Sequence, residues 1–503
     1  MNLFARIIQF VREGIHRMVP YNSIEQVERV KSPLSEDMIN ALACWHDMYR
    51  GNPSWLGGKD HVKSMNLPAL ISSEIARQIV LEVKWNITGR SPDGQTQDAN
   101  GEVLMNPRAQ FLKDELEKLF DVLRQKLEQG CAAGGMTIRP YPKDGHIHFD
   151  WTMAWSLYPL AFGSDGELVD VIFQDVYAEG SVFYTRLERH IVEGNNVRIT
   201  QRAFKSQNRD TLGTEISLSE VKPWADLVPE MTVMNTEGPL FGWFRVAAAN
   251  TVDVDSPMGA SVFAKAKDTI KRADIQYSTL LWEYKGATLA IYVDPTALRP
   301  ERNKDGQMVV PTLDDRTFRM IDVRAGTDTD LFSVFSPAIR DANYINGLNQ
   351  LLMRIEDQCG LSRGSLSDAN NVEARTATEL RIIRQRSYAT IADNQKALER
   401  CLRDVVRAMD KYADLYGLAP EGDYEVSFEW DDSIVTDMNQ QLEERLALMS
   451  AGIIGKQELR QWYFGETEAQ AAAAIEKLQQ EQQASMSAML PQLPPPPDTP
   501  PEE

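Results

Sequence analysis

Two neighbouring aspartates, Asp431 and Asp432, form the pattern best suited to chemistry, because paired carboxylates hold divalent ions in nuclease sites. Glu429 and Asp437 lie close to them in the chain. The same carboxylates could instead cap a helix that is predicted to begin near Thr436, where acidic groups meet the positive end of the helix dipole. We favour the cap, and a metal-dependent nuclease is kept as an alternative.

Two other groups of residues have ligand types suited to a metal ion. His146 and His148 are two positions apart, so both point to the same side of a predicted strand, but the spacing fixes no third ligand. Asp98, Asn100 and Glu102 lie in a polar stretch with a faint likeness to a calcium-binding loop, without the ligand order that such a loop requires. We therefore expect an exposed strand face and a solvated loop, with no bound metal ion.

The sequence lacks the motifs of common enzyme classes. It has no GxxxxGKS or GxxxxGKT loop for ATP phosphates and no GxSxG nucleophile, and its six histidines form no Ser/His or Cys/His pattern. Gly130, Gly134 and Gly135 follow a predicted helix and precede a strand, whereas a dinucleotide-binding loop lies between a strand and a helix. The four cysteines are far apart, unlike zinc ligands. We predict a protein that is not an enzyme and uses no cofactor.

The overall charge limits how the chain can bind nucleic acid. Its 503 residues include 53 lysines and arginines against 73 aspartates and glutamates, giving a formal net charge of −20. Histone-like or repressor-like binding depends on many cationic contacts to phosphate, so this class is excluded. The composition, 43% hydrophobic and 25% charged, is globular. The length suggests about two to four structural units.

A membrane span is not expected either. No apolar run approaches the roughly 18 residues that cross a bilayer. The N-terminal segment has apolar residues at helical spacing, interrupted by Arg6 and Arg12, and lacks the features of a secretory signal. We expect this segment to pack on a neighbouring subunit or domain. Contact with a membrane surface is the alternative.

The hydrophobic pattern divides the chain into helical and β segments. Up to about Gly130 it predicts three amphipathic helices, which end near Gly51, Gly89 and Gly130. From 137 to about 245, short alternating runs separated by turns such as Asp144-Gly145 predict antiparallel strands. The predicted fold class is therefore α+β, with helices predominating.

Long helices dominate the prediction for the second half of the chain. Helices over 261–283 and 337–361 bracket a small β module, 284–336. A polar loop, 362–373, precedes a helix from about 374 to 416, which at about 64 Å is long for one globular domain. A β segment, a helical hairpin and a Pro-rich, disordered end follow.

This order of elements resembles that of the portal proteins of tailed bacteriophages, the head-tail connectors, in the branch with siphophage-like and Gram-positive-phage portals. The stretches that carry the resemblance are LPALISSEIARQIVLEVKWNITG, DSPMGASVFAKAKDTIKRADIQYSTLLWE, GLSRGSLSDANNVEARTATELRIIRQRSYATIADNQKALE and EWDDSIVTDMNQQLEERLALMSAGIIGKQELRQWYFG. The third is the most specific, because a TATE sequence opens a helix after a polar loop. The middle β section matches in kind only.

The resemblance implies a portal fold with named regions. In this sequence they are the wing (1–260, with a β section at about 137–245), stem helix 1 (261–283), the clip (284–336), stem helix 2 (337–361), the tunnel loop (362–373), the long wing helix with a β segment (374–432), the crown (433–485) and a disordered tail (486–503). The resemblance also implies a homo-oligomeric ring, usually of about twelve subunits, at one capsid vertex of the virion, assembled in the host cytoplasm.

Double-stranded DNA is then expected to be driven through the ring by a separate terminase and later to leave through it. The implied partners are other copies of the chain, the terminase large subunit, head-tail adaptors, and major capsid and scaffold proteins. The tunnel loop would present Arg363, Asp368, Asn370 and Asn371 to the DNA. The clip would dock terminase and adaptors with what we expect to be the densest basic patch of the chain: Lys285, Arg299, Arg302, Lys304, Arg316, Arg319 and Arg324. The alternative is that these cations pair with Glu301, Asp305, Asp314 and Asp315 of neighbouring subunits.

The acidic composition fits this expectation. A channel must let DNA slide in both directions, so strong Lys or Arg contacts would trap it and an acidic, weakly binding wall is a better lining. The tunnel loop is expected to be mobile, because its Ser, Asn, Asp and Gly residues bury little apolar surface. Two other functions are left open: a metal-dependent nuclease or processing enzyme at Asp431 and Asp432, and a membrane-surface scaffold.

Overall fold

The computed structural model divides the chain into two compact units, up to Trp430 and from Asp431 onward. The structure describes residues 21–57, 61–81, 83–91, 93, 95–96, 104–286, 290–293, 301–302, 308–309, 318–320, 332–335, 338–368, 377–430, 438–464 and 468–489. Several predicted features lie outside the described residues: the N-terminal helix, the Asp98, Asn100 and Glu102 loop, the Asp431, Asp432 and Asp437 cluster, and the Pro-rich end after Met489.

Seven α-helices lie among the described residues of the first unit. They are α1 (Tyr21–Glu28), α2 (Glu36–Tyr49), α3 (Leu67–Val80), α4 (Pro107–Ala133), α5 (Lys267–Gly286), α6 (Asp341–Cys359) and α7 (Ala377–Tyr416). The long helices predicted in the second half of the chain are thus present as helices. No described helix has the length and apolar character needed to cross a membrane.

The strands of the first unit form several separate sheets. They are β1 (Val83–Gly89), β2 (Gly135–Lys143), β3 (His146–Met153), β4 (Tyr158–Phe162), β5 (Leu168–Glu179), β6 (Val182–Glu193), β7 (Asn196–Ser206), β8 (Thr214–Ile216), β9 (Glu230–Val233), β10 (Gly242–Arg245), β11 (Ala290–Val293), β12 (Glu301–Arg302), β13 (Met308–Val309), β14 (Phe318–Met320), β15 (Phe332–Phe335) and β16 (Tyr424–Trp430). The chain is therefore a mixture of helices and sheets in which helices predominate.

The β section predicted for 137–245 is confirmed as antiparallel. It forms two sheets, one with the order β10-β2-β3 and one with the order β4-β5-β6-β7-β8, in which β9 also pairs with β7. The Asp144-Gly145 dipeptide makes the turn between β2 and β3, where both residues have positive φ angles of 54° and 80°. Such angles are those of a tight hairpin turn, which is why this dipeptide predicted one.

The helix predicted to end near Gly89 is wrong in its second half. α3 ends at Val80, and Val83–Gly89 form β1, which pairs antiparallel with β16 from Val83 opposite Trp430 to Gly89 opposite Tyr424. Along β1 the burial alternates, with Ile87 fully buried. An apolar run of this kind fits the periodicity of either a helix or a strand. Pairing with a distant strand makes it a strand here.

The helix predicted to end at Gly130 continues to Ala133, and Gly134 ends it with a φ of 86°. A β-carbon on Gly134 would lie 2.4 Å from the carbonyl oxygen of Gly259, so only glycine fits this crossing.

Other predicted boundaries also shift. α5 begins at Lys267 after a short 3₁₀ turn rather than near Ser261, and α6 begins at Asp341 rather than at 337.

The second unit contains three described helices: α8 (Met438–Ser450), α9 (Lys456–Phe464) and α10 (Glu468–Met489). The helical prediction for 433–485 is thus confirmed in kind, although α10 extends into the segment predicted to be a disordered tail. Among the described residues of this unit, only Ala471 is a buried apolar residue. Arg445 of α8 lies over the Trp462 ring of α9 at 4.4 Å, so a cation–π contact contributes to the packing of these two helices.

The core of the first unit is arranged around α7. Leu398, Cys401, Leu402, Val405 and Met409 lie at successive helical positions on it and are completely buried. They face β10, β2, α3 and α4. One long helix therefore joins the N-terminal helices to the central sheet.

Arg108 fixes the start of α4 to the end of α7. Its side chain is 1% exposed and donates hydrogen bonds to the carbonyl oxygens of Asp410, Ala419 and Pro420. It also forms ion pairs with the carboxylates of Asp410 and Asp414. A buried guanidinium with all of these partners holds two helices in a single register.

Arg108→Ala should lower the free energy of unfolding by about 3–5 kcal/mol, because it leaves buried carbonyls and carboxylates without their donor. Urea titration of the purified protein measures this loss. Arg198→Ala is the matched control, since Arg198 is 37% exposed and pairs with Glu193 at the surface. A loss at Arg108 no larger than that at Arg198 would show that the buried cluster does not stabilise the fold.

Candidate functional site

The candidate site is the helix pair α5 and α6 together with the segment that follows α6. Asp274 fixes α5 to the N-terminal region, because its buried carboxylate accepts hydrogen bonds from the Trp55 indole at 2.9 Å and the Met65 amide at 2.8 Å. Burial raises the pKa of this carboxyl, and the two hydrogen bonds oppose that rise. The position of α5 is therefore set by polar contacts as well as by its apolar face.

A second polar contact joins the two helices near the far end of α5. Arg340 donates two hydrogen bonds of 3.1 Å to the carboxylate of Glu283, and its guanidinium lies 5.6 Å from the Tyr344 ring. Two parallel hydrogen bonds of this kind fix both the distance and the orientation between the two side chains. The two helices are thus joined immediately beside the segment 287–337, in which only short strands are described.

The exposed face of α6 is polar but bears little charge. Asn343, Asn346 and Gln350 are exposed, and they lie three or four positions apart, so they follow one side of the helix. The next exposed residue in this direction is Arg354. This amide stripe, defined as Asn343, Asn346 and Gln350, offers both hydrogen-bond donors and acceptors without a net charge.

The chain turns sharply after α6. Gly360 has a φ of 72°, and a β-carbon there would lie 2.6 Å from the Thr390 hydroxyl of α7, so the turn requires glycine. Leu361 follows and is buried. The end of α6 is therefore packed directly against α7.

A buried glutamate organises the residues beyond this turn. Glu356 is fully buried, and its carboxylate accepts hydrogen bonds from the amides of Gly364 (3.1 Å), Leu366 (2.6 Å) and Ser367 (2.8 Å) and from the Ser367 hydroxyl (2.8 Å). Four donors around one carboxylate satisfy its lone pairs without a cation. We call residues 360–368 the Glu356 turn.

The Glu356 turn alters the interpretation of the predicted tunnel loop, 362–373. Asp368 ends the turn by donating its amide to the Asn349 side chain at 2.8 Å. The first half of the loop, predicted to be mobile, is thus a hydrogen-bonded structure, because buried polar groups of α6 replace the missing apolar anchor. Arg363 forms an ion pair with Asp357 at 2.8 Å, and this hydrogen bond raises the Arg363 pKa. Asn370 and Asn371 lie outside the described residues.

The structure describes only part of the predicted clip patch. Lys285 is exposed at the end of α5, Arg302 lies in β12 opposite Met308, and Arg319 lies in β14 beside Tyr292 of β11. The positions outside the described residues are Arg299, Lys304, Arg316 and Arg324.

The clip patch is also not the densest basic stretch, contrary to our expectation. Lys265, Lys267, Lys271 and Arg272 fall within eight consecutive positions at the start of α5, and all four are exposed. The clip patch spreads its seven cations from Lys285 to Arg324, which is a lower density along the chain.

The metal-site candidates find no support among the described residues, where no three His, Cys, Asp or Glu side chains are placed to hold an ion. His146 and His148 do lie on the same exposed side of β3, as predicted. His146 contacts the Glu115 carboxylate at 2.8 Å, whereas His148 stacks on Tyr141. Glu429 is exposed on β16.

Sequence reasoning missed Asp274, Asn349 and Glu356. Each lies on the buried, apolar side of its helix, and a polar residue at such a position needs a partner from elsewhere in the chain. That signal was visible in the apolar stripes of α5 and α6. The sequence did not show which turn or loop supplies the partner.

Glu356→Gln should loosen the Glu356 turn while leaving the rest of the fold in place. The amide side chain has a single acceptor oxygen, so at least one of the four donors is left unpaired. We expect the amides of Gly364, Leu366 and Ser367 to exchange their hydrogens about 10- to 100-fold faster. Asp357→Asn is the control, because Asp357 pairs with Arg363 at the surface. Equal exchange in the two variants would disprove the role given to Glu356.

Comparisons with known proteins bear on the whole of this site. Residues 93–488 match the family model described as phage portal protein, SPP1 Gp6-like, whereas no curated protein matches the chain. The matched segment includes α5, α6, the Glu356 turn, α8, α9 and all but the last residue of α10. It begins after LPALISSEIARQIVLEVKWNITG, so that stretch takes no part in the match. The chain therefore belongs to the SPP1 Gp6-like family of phage portal proteins.

Proposed function

We propose that copies of this chain form a ring at one capsid vertex, through which a separate terminase packages double-stranded DNA and through which the DNA later leaves. Family membership makes the protein a structural phage portal protein of the capsid. The observation that carries the finer proposal is the rigid α5–α6 pair, which is joined at Glu283 and Arg340 and bears the amide stripe on its exposed side.

The amide stripe has the chemistry that a DNA channel requires. Asn343, Asn346 and Gln350 can exchange hydrogen bonds with phosphate oxygens and water at little cost, since neither partner is a formal cation. A row of lysines would hold the duplex by counterion release and oppose its movement. A row of carboxylates would repel it, so the neutral amide stripe takes the place of the acidic lining that we expected from the composition. We therefore place the exposed side of α6 on the channel wall.

The tunnel loop then has a fixed base and a tip that contacts DNA. The Glu356 turn holds the chain up to Asp368, so the tip consists of the residues that follow it. Asn370 and Asn371 belong to this tip and would offer amide contacts to the passing phosphates. Arg363 is neutralised by Asp357 in the base, so its contribution to DNA contact is smaller than the sequence alone implied.

The remaining parts follow the same proposal. The segment 284–336 would dock the terminase large subunit and the head-tail adaptors, and its cations would set the rate and choice of encounter. The ring would contain about twelve copies, in contact with the major capsid and scaffold proteins. The chain itself would carry no catalytic activity. No described residue favours the nuclease or the membrane-scaffold alternative.

The purified protein should assemble into closed rings, and twelve copies of 56.8 kDa give about 682 kDa. Native mass spectrometry across a range of salt and protein concentrations measures this mass, and negative-stain images show the channel. A species containing only monomers or dimers under every condition would contradict the ring. A ring of thirteen would not, because closure depends on small changes of angle between neighbours.

Replacing residues 369–372 with a Gly-Ser linker of equal length should leave ring assembly unchanged and impair retention of packaged DNA. The Glu356 turn remains, so only the contact with DNA is removed. Arg363→Gln is the matched variant, and it should retain DNA normally because Arg363 is already paired. A packaging reaction in vitro, followed by nuclease protection of the DNA, measures both. Full retention by the linker variant would mean that the loop is only a connector.

A further inference from the structure

The loop between β10 and α5 presents an apolar side chain that nothing in the described chain covers. Val254 is 83% exposed, and Asp253 and Asp255 lie on either side of it. The loop is nevertheless held in one conformation. The Asn250 side chain accepts hydrogen bonds from the amides of Val252 at 3.0 Å and Asp253 at 3.2 Å.

Asn250 also ties this loop to the body of the first unit. Its amide group donates to the Met258 carbonyl at 3.2 Å and to the Met38 sulfur of α2 at 3.3 Å. A fixed loop that exposes a β-branched residue between two carboxylates is already organised for binding, since little entropy is lost when it docks. We call Asp253, Val254 and Asp255 the knob.

The exposed side of α5 has the complementary chemistry. Ile275 is 42% exposed, and Lys271 and Arg272 lie four and three positions before it, on the same side of the helix. Within the part of the chain that the structure describes, neither cation takes part in an ion pair. We call Lys271, Arg272 and Ile275 the seat.

We propose that the knob of one copy docks on the seat of a neighbouring copy of the same chain. Val254 packs on Ile275, while Asp253 and Asp255 pair with Lys271 and Arg272. The knob is held in a turn by a hydrogen bond of 3.2 Å from the Ser256 amide to the Asp253 carbonyl. The inference rests on the proposed ring.

The complementary charges of knob and seat favour another copy as the occupant. Each chain carries −20, so neighbouring copies repel one another unless cations of one meet carboxylates of the next. Knob and seat are different surfaces, so their contact is head-to-tail, and contacts of this kind form rings when the rotation between neighbours closes. Nucleic acid would be attracted by the seat but repelled by the knob, whereas a second copy uses both.

A charge-swap cycle tests the contact. Asp253→Lys with Asp255→Lys, or Lys271→Glu with Arg272→Glu, should each raise the protein concentration needed for half-maximal ring assembly by about tenfold at low salt. All four changes in one chain should restore assembly, because the pairs are re-formed with reversed sign. Assembly by either double variant at the wild-type concentration would overturn the inference.

Glu179→Lys with Asp226→Lys is the matched control for the knob variant, because it also replaces two acidic residues with lysine, at two exposed positions outside knob and seat. It should assemble like the wild type. A failure of restoration by the four-fold variant would also overturn the inference. If the wild-type chain itself forms no ring, the proposed function fails first, so the two failures are distinguishable.

Cross-linking gives a second readout that does not depend on charge. Val254→Cys with Ile275→Cys should form disulfides between chains under mild oxidation, since packed side chains bring the α-carbons within the roughly 4.4–6.8 Å that a disulfide requires. Three of the four native cysteines are buried and the fourth is half-buried, so the background is low. A ladder of linked chains on a denaturing gel supports the contact. Linkage within one chain, or none in assembled rings, refutes it.

Discussion

The burial of α7 is the interaction on which the first unit depends. Its apolar face fills the space between the N-terminal helices and the central sheet, and Arg108 fixes its far end. Removing this helix would expose α3, α4, β2 and β10 together. The Glu356 turn also depends on it, because the end of α6 closes against Thr390. A segment that the comparisons place inside a portal family is therefore also the centre of the fold.

Buried polar residues with partners in distant segments form the rigid parts of the molecule, whereas exposed polar residues form its adaptable parts. Glu356, Asp274 and Arg108 are buried and satisfied by groups from distant segments, so they fix geometry. The exposed amides of α6 have no such obligation and remain free to exchange partners with solvent or ligand. Glu356, Asp274 and the exposed amides all lie on one helix pair, α5 and α6. That arrangement lets a stiff frame present a surface that binds weakly.

Local signals in the sequence predicted much of the fold. The Asp144-Gly145 turn and the alternation around it gave the antiparallel section, and the apolar stripes gave the long helices. The errors arose where a distant segment decided the outcome. Val83–Gly89 became a strand because β16 pairs with it, and the loop after α6 became ordered because of Glu356. The site residues inside the turn could be named from the family resemblance, but their anchors could not.

The pairing of β1 with β16 has a consequence for how the protein is made. Val83 lies opposite Trp430, so this sheet cannot form until nearly all of the first unit has left the ribosome. The N-terminal helices likewise cannot complete their packing until α7 has been synthesised. Contacts of such long sequence separation slow folding and leave apolar surface exposed in the meantime. We therefore expect nascent chains of this protein to expose apolar surface that chaperones can bind, and a chain that stops before residue 430 to lack the strand that pairs with β1.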